Sequence, residues 1–161
     1  MARKVFFSFH HNGDIGRIGQ VRNSWLTKGE DAGYVDDAKW ESIKKLGPES
    51  VRRWIDTQLN GTSVTVVLIG KETSERPWVK HEIQQSHEKG NGLLGIYIHN
   101  LKDFRTGYVS YKGDNPFTKF TFVNNPSKTL AEVYPVYDWV NDRGYDNLGR
   151  WVEEAAKKAG K

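Results

Sequence analysis

A chain of 161 residues lies well below the roughly 250 at which one core stops growing and chains divide, so one domain spanning 1–161 is expected and two full catalytic domains are excluded. Only 37% of the residues are hydrophobic, yet 12% are aromatic, which supplies the large buriable groups a disordered chain lacks. The net charge of +4, from 24 basic and 20 acidic residues, favours a small anionic ligand over nucleic acid, because no basic run is interleaved with aromatics. Zero cysteines exclude disulfides, thiolate nucleophiles and cysteine zinc sites.

No stretch reaches the roughly 20 apolar residues of a membrane span, and Met1-Ala2-Arg3-Lys4 leads into only a short apolar run. A cytoplasmic protein with no membrane partner is the expectation.

Val5-Phe6-Phe7-Ser8-Phe9 is a continuous apolar run ended by His10-His11-Asn12-Gly13, the pattern of a strand buried on both faces. Asp14 then reads as a helix cap, and Ile15, Ile18, Val21 and Trp25 recur at helical spacing to about Lys28. Tyr34-Val35 reads as a short edge strand and Asp36 to Trp40 as a helix start. Gly47-Pro48-Glu49 opens a helix with Val51, Trp54, Ile55 and Leu59 on one face, stopped at Asn60-Gly61.

Val64 to Ile69 is the most strand-like run, and Thr73 or Ser74 is expected to cap a helix that begins near Pro77. Leu93 to Ile98 is a further buried strand. Residues 99–132 are rich in Gly, Asn, Pro and Lys and read as a long irregular connection or insertion, the kind of segment that faces a partner. Val133 to Tyr137 predicts a last strand. The closing helix carries Tyr145, Leu148, Trp151, Val152, Ala155 and Ala159 as an apolar stripe. Alternating buried strands and amphipathic helices predict an α/β fold, an open parallel sheet with helices on both faces. Its ligands belong beyond the carboxyl ends of the strands, near Ser8 to Asn12, Gly70 to Trp78 and His99 onward.

Candidate chemistry collects there. Gly13, Gly16 and Gly19 follow the first strand, but at G-x-x-G-x-x-G spacing rather than the dinucleotide G-x-G-x-x-G, which points to close packing more than to phosphate binding. His81 and His87 are six apart, whereas helical zinc ligands sit three or four apart, so no metal site is expected. His10, at the end of the first strand, is placed to line a ligand or to serve the structure. No G-x-S-x-G nucleophile elbow occurs, and Ser8 lies inside a strand. Trp78 and Glu82 are four apart, hence on neighbouring turns of one helix face. Glu82 is the acid singled out for chemistry; the competing reading is a solvated glutamate paired with Lys80 or Arg76. Asp36 and Asp37 form a second acidic spot, most simply a cap.

Lys4 to His10, Val21-Arg22-Asn23-Ser24-Trp25 and Ser74 to Glu82, taken together in this order and spacing, resemble the TIR-like domain proteins of the Thoeris anti-phage defence system. Ser74-x-x-x-Trp78-x-x-x-Glu82 is similar to the Ser-x-Trp-Cys-x-x-Glu helix start of TIR domains, with Val79 in the Cys place. The resemblance covers about the first 100 residues.

It implies a flavodoxin-like sheet and a phage-triggered enzyme that takes NAD as substrate, cleaves its nicotinamide–ribose bond and forms a cyclic ADP-ribose isomer. That product would act as second messenger for a partner effector protein. By family position Glu82 would be catalytic and Ser8, Phe9 and His10 would line the nucleotide; Asp36 and Trp78 are added as substrate-binding residues from their expected placement. A phage-derived trigger and a homo-oligomer are further partners the resemblance raises, and 99–132 is where a cue or partner would bind. Three other functions compete: a non-catalytic TIR-like adaptor acting by self-association, a receiver-like module, and a nucleoside deoxyribosyltransferase-like enzyme. The receiver is disfavoured because the first strand ends in Ser8-Phe9-His10 rather than in an acidic cluster.

Overall fold

The computed structural model describes residues 3–27, 32–33 and 37–161. The chain runs β1 (Val5–Ser8), α1 (His11–Thr27), β2 (Ala32–Gly33), α2 (Asp37–Lys44), α3 (Pro48–Leu59), β3 (Val64–Ile69), α4 (Pro77–Glu88), β4 (Gly92–Tyr97), β5 (Thr121–Phe122), β6 (Asn125–Thr129), β7 (Val136–Asp138) and α5 (Gly144–Lys158). Five strands form one parallel sheet in the order β2-β1-β3-β4-β7. β5 and β6 pair antiparallel as a separate hairpin. Apart from that hairpin, this is the open α/β sheet expected, with the flavodoxin-like strand order.

Period-two alternation divides the core. Val5, Phe7 and Phe9 of β1 and its extension, Val64, Val66 and Leu68 of β3, and Leu94, Ile96 and Ile98 of β4 and its extension pack with Ile18, Val21 and Trp25 of α1 and with Leu148, Trp151 and Val152 of α5. On the other face Phe6 meets Val51, Ile55 and Leu59 of α3. There Val67, Ile69 and Leu93 meet Val79 and Ile83 of α4. Both faces are covered, which is why the strands read as continuous apolar runs rather than alternating ones. Tyr137 of β7 lies flat on Trp151 of α5, ring centroids 4.1 Å apart.

Several boundaries differ from expectation for identifiable reasons. The edge strand β2 is Ala32–Gly33; Tyr34-Val35 and Asp36 lie outside the described residues. The last strand starts at Val136 rather than Val133, because the Tyr134 backbone N–H is spent on Leu130 O in the preceding turn. Tyr145 is exposed and the buried face of α5 runs through Leu148, Trp151, Val152, Ala155 and Ala156; Ala159 falls just past the helix. Asp14 lies inside α1, and its carboxyl accepts from Thr73 instead of capping. Arg76 holds the N-cap position of α4, since Thr73 and Ser74 belong to a separate 3-10 turn.

The 99–132 segment is no free insertion. Asn115 accepts the Phe117 N–H and opens a short 3-10 turn. That turn drives the Phe117 ring to zero exposure beside Val79, Ile83 and Leu93. Gly95 makes the space: a Cβ there would stand 3.3 Å from the Phe117 ring and 2.8 Å from Ile69.

Candidate active site

The strand order reverses direction between β1 and β3, and in open α/β sheets the crevice at such a point receives the ligand. β1 leads into Phe9 and His10, and β3 into Gly70 and Lys71. Helix α4 returns antiparallel to the strands, so its first turns lie at this same end. Its stripe Trp78, Glu82, Ser86 advances four residues at a time along one face. At the far end of the stripe the Ser86 and Thr65 hydroxyls bond at 2.7 Å, fully buried, which fixes the rotation of the helix on β3. Glu82, one turn nearer the crevice, is thereby aimed at Ser8, the register neighbour of Val67.

Glu82 is 7% exposed and pairs with neither Lys80 nor Arg76; Arg76 bonds Glu72 at 2.8 Å. Burial pushes the Glu82 carboxyl well above the usual carboxylate range. The Ser8 hydroxyl, fully buried and without a hydrogen bond of good geometry, faces it closely enough to draw the pKa part of the way back. The resting carboxyl therefore favours holding a proton, and a cation or hydroxyl donor arriving beside it would favour ionisation.

His10 sits between the two sides of the crevice. A Cβ on Gly13 would overlap its imidazole, and burial, followed by the nearby Arg76 charge, lowers its pKa. Neutral His10 can both donate and accept. Trp78 is half-buried against the Phe6 cluster, its ring edge-on to His81 at 5.9 Å. Phe9 behaves differently from its neighbours: its ring belongs to the core on the α1 and α5 face, so anything it offers the crevice comes from its backbone. Asp36 lies outside the described residues.

Residues that sequence reasoning read otherwise, such as Asp14, or passed over, such as Arg17 and Ser110, complete this end. A cavity of about 190 Å3 is lined by Gly13, Asp14, Arg17, Lys71, Glu72 and Ser110. Asp14 is raised to about 6, chiefly by burial, with the Thr73 hydroxyl and Arg17 pulling the other way. The Thr73 hydroxyl accepts the Gly70 N–H at 2.8 Å and lies 3.3 Å from Asp14 Oδ2. Two of the three spaced glycines serve close packing, Gly13 against His10 and Gly16 against Asp103. The available signal was helical spacing: Asp14 stands four and seven residues before Ile18 and Val21, on the face that α1 buries.

A larger cavity of about 530 Å3 lies at the opposite end of the sheet, where Gly92 and Leu93 open β4 beside Tyr137, Trp151 and Ala155. Size does not move the candidate site there: that end carries the amino termini of the strands, and Glu82 faces the other. Among the described residues no group of three His, Asp or Glu side chains is placed to hold a metal ion, and no helix is long and apolar enough to cross a membrane.

The family model for the Thoeris protein ThsB, TIR-like domain, matches residues 6–103. The chain belongs to this family. The match spans β1 through β4 and so includes Ser8, His10, Trp78 and Glu82. A relative from Bacillus cereus (strain MSX-D12), named "Putative cyclic ADP-D-ribose synthase ThsB1", is 38% identical over 94% of this chain and its own full length. Among solved structures, the TIR domains of the activated Roq1 resistosome, described as directly recognising the pathogen effector XopQ, align over 99% of this chain and 85% of theirs at 20% identity and a TM-score of 0.47.

Proposed function

We propose that this protein cleaves NAD at the nicotinamide–ribose bond and closes the ADP-ribosyl product into a cyclic isomer, a second messenger for a partner effector during phage infection. The observation that carries the reading is Glu82, a buried carboxyl beside Ser8 at the β1/β3 crevice, in a family whose Bacillus cereus relative bears a cyclic ADP-D-ribose synthase name.

The chemistry asks little beyond one acid and a dry pocket. Nicotinamide in NAD is already cationic, so the C1′–N bond can break with its electron pair going to the ring and no general acid is required. Positive charge then grows on the ribose. Glu82, ionised by that approaching charge, can accept hydrogen bonds from ribose hydroxyls and stabilise the oxocarbenium-like centre, as carboxylates do in glycoside cleavage. His10 and Trp78 stand where they can flank the nucleotide. Capture of C1′ by a nucleophile of the same molecule gives the cyclic product, and capture by water gives linear ADP-ribose. Proximity favours the first route as long as water is kept out.

Mass spectrometry of small molecules from phage-infected cells tests this, comparing wild type with Glu82→Gln. A new species at the mass of cyclised ADP-ribose, present only with Glu82 intact, is the expected result. No such species in either strain, with wild type still protecting cells in the presence of its effector, would refute the enzyme and leave the adaptor.

A further inference from the structure

We propose that Arg17 is a positioning residue that straps the segment after β4 over the crevice, and that this strap steers the reaction to cyclisation by keeping water out. The inference rests on the NAD-cleaving reading above and assigns it a determinant of product type.

Arg17 is 6% exposed, unusual for an arginine in a helix of a small domain. Its guanidinium is spent on one segment: Nε donates to Leu101 O at 2.8 Å, Nη2 to Tyr108 O at 2.9 Å, and Nη1 lies 3.7 Å from Asp103 Oδ2. Asp103 organises the loop from inside. Its backbone N–H donates to Tyr108 O, and its own carbonyl accepts from Thr106 and Gly107. Its carboxylate takes a two-pronged bond from Arg105, at 3.1 and 2.9 Å, which holds its pKa down to about 2.

The helix surface is shaped for this loop. Gly16 leaves room for the Asp103 carboxylate, which a Cβ would overlap, and Gly16 O accepts the Phe104 N–H at 3.2 Å. The segment then crosses the crevice mouth. Ser110 lines the cavity opposite Asp14, its N–H donating to His99 O. Gly113 rests on the Gly70 carbonyl at the end of β3, so closely that a Cβ would overlap it. The strap is thus tied to α1 on one side and to β3 on the other, and spans the two strands between which the crevice opens. Leu101 anchors the start of the segment in the core, but its later large side chains, Phe104, Tyr108 and Tyr111, point to solvent, so beyond Leu101 polar contacts hold this stretch down: Arg17, the Gln20 amide donating to Lys102 O at 2.9 Å, and Gly16 O.

In the step concerned, the C1′–N bond has broken and nicotinamide has left with the electron pair. The bond that forms next joins C1′ to a nucleophile of the same molecule or to water oxygen. Where that nucleophile is a hydroxyl or water, its proton passes to the Glu82 carboxylate. The outcome turns on whether water can reach C1′, and a loosened strap admits it.

Arg17→Lys keeps the charge but replaces a rigid fork with a single point donor. In infected cells we expect the ratio of linear to cyclised ADP-ribose to rise about tenfold, the weight of one charge-assisted hydrogen bond lost from one state, while total nicotinamide release changes much less. Arg105→Ala, which removes the two-pronged bond on the Asp103 carboxylate, is expected to move the ratio the same way by less. An unchanged ratio in a folded Arg17→Lys protein would overturn the role of the strap alone, as would an unchanged ratio in Arg105→Ala if Arg17→Lys fails to fold. If wild type releases no nicotinamide, the NAD-cleaving reading falls and takes this one with it. Hydrogen exchange of residues 101–110 separates these cases, because a strap that only braces the fold would loosen in Arg17→Lys without altering the products.

Discussion

Replacing Asp14 by Asn should stabilise the protein at neutral pH, and by an amount the structure sets. The carboxyl titrates at 3.8 when free and at about 6 in the fold. At 1.36 kcal/mol for each pH unit, the ionised form therefore costs the fold about 3 kcal/mol. The sign follows from proton uptake. Below pH 3.8 both folded and unfolded chains carry the proton and no cost arises; the cost grows as pH rises through the folded value and is complete above pH 6. Asn keeps an oxygen for Thr73 and has no charge to bury. Urea unfolding of wild type and Asp14→Asn at pH 4, 5, 6 and 7.5 should give curves that nearly coincide at pH 4. They should separate by about 3 kcal/mol at pH 7.5, or about 6–12 °C in Tm for a domain of this size. Taking the difference between the two proteins cancels the titrating groups that do not interact with Asp14. A gap that stays constant across this range, or a variant less stable than wild type at pH 7.5, would refute the assignment of the cost to burial of Asp14.

Glu82→Gln should also be more stable than wild type at neutral pH, with the advantage shrinking as pH falls toward 4.5, read in the same urea series. On the proposed function, NAD cleavage by wild type should show an acid limb above pH 4.5, since the Glu82 carboxyl, raised by burial, would have to ionise to act. Arg76→Gln should raise the His10 pKa, read by histidine NMR titration, because it removes the charge that ranks after burial in lowering it; no change would mean that burial acts alone. Phe117→Ala should cost about 3–5 kcal/mol, as for other fully buried aromatics, measured by chemical denaturation; a loss under about 1 kcal/mol would mean that the 99–132 segment is not part of the core.

The central strands were legible because burial on both faces leaves a mark that polar surroundings throw into relief: Val64 to Ile69 and Leu93 to Ile98 stand out against the Gly- and Lys-rich stretches beside them. Glu82 was legible in position but not in environment. Spacing puts Trp78, Glu82 and Ser86 on one face, whereas the depth of that face depends on Thr65 and Ser8, which reach it only through the sheet. Asp14 was misread for the same reason, since capping is a local rule and its partner Thr73 arrives from 59 residues away. Arg17 left no pattern at all. Its hydrogen-bond acceptors are backbone carbonyls 84 and 91 residues on, which carry no sequence signature, and its ionic partner Asp103 is equally remote in sequence.

Phe117 and Gly95 together bear on how this family can be recombined. A segment that places an aromatic ring in a gap left by a glycine of the central sheet is keyed to that sheet, so exchanging residues 99–132 between relatives amounts to exchanging half of a lock. Chimeras made at those boundaries should lose stability where the receiving β4 carries a residue larger than Gly95 under the incoming ring, because Ile69, Phe117 and Val136 would have to shift. Variation that spares the fold belongs to the outward side chains of the segment, Phe104, Tyr108, Val109, Tyr111 and Val123 among them; such positions can diversify while the part that reaches inward stays fixed.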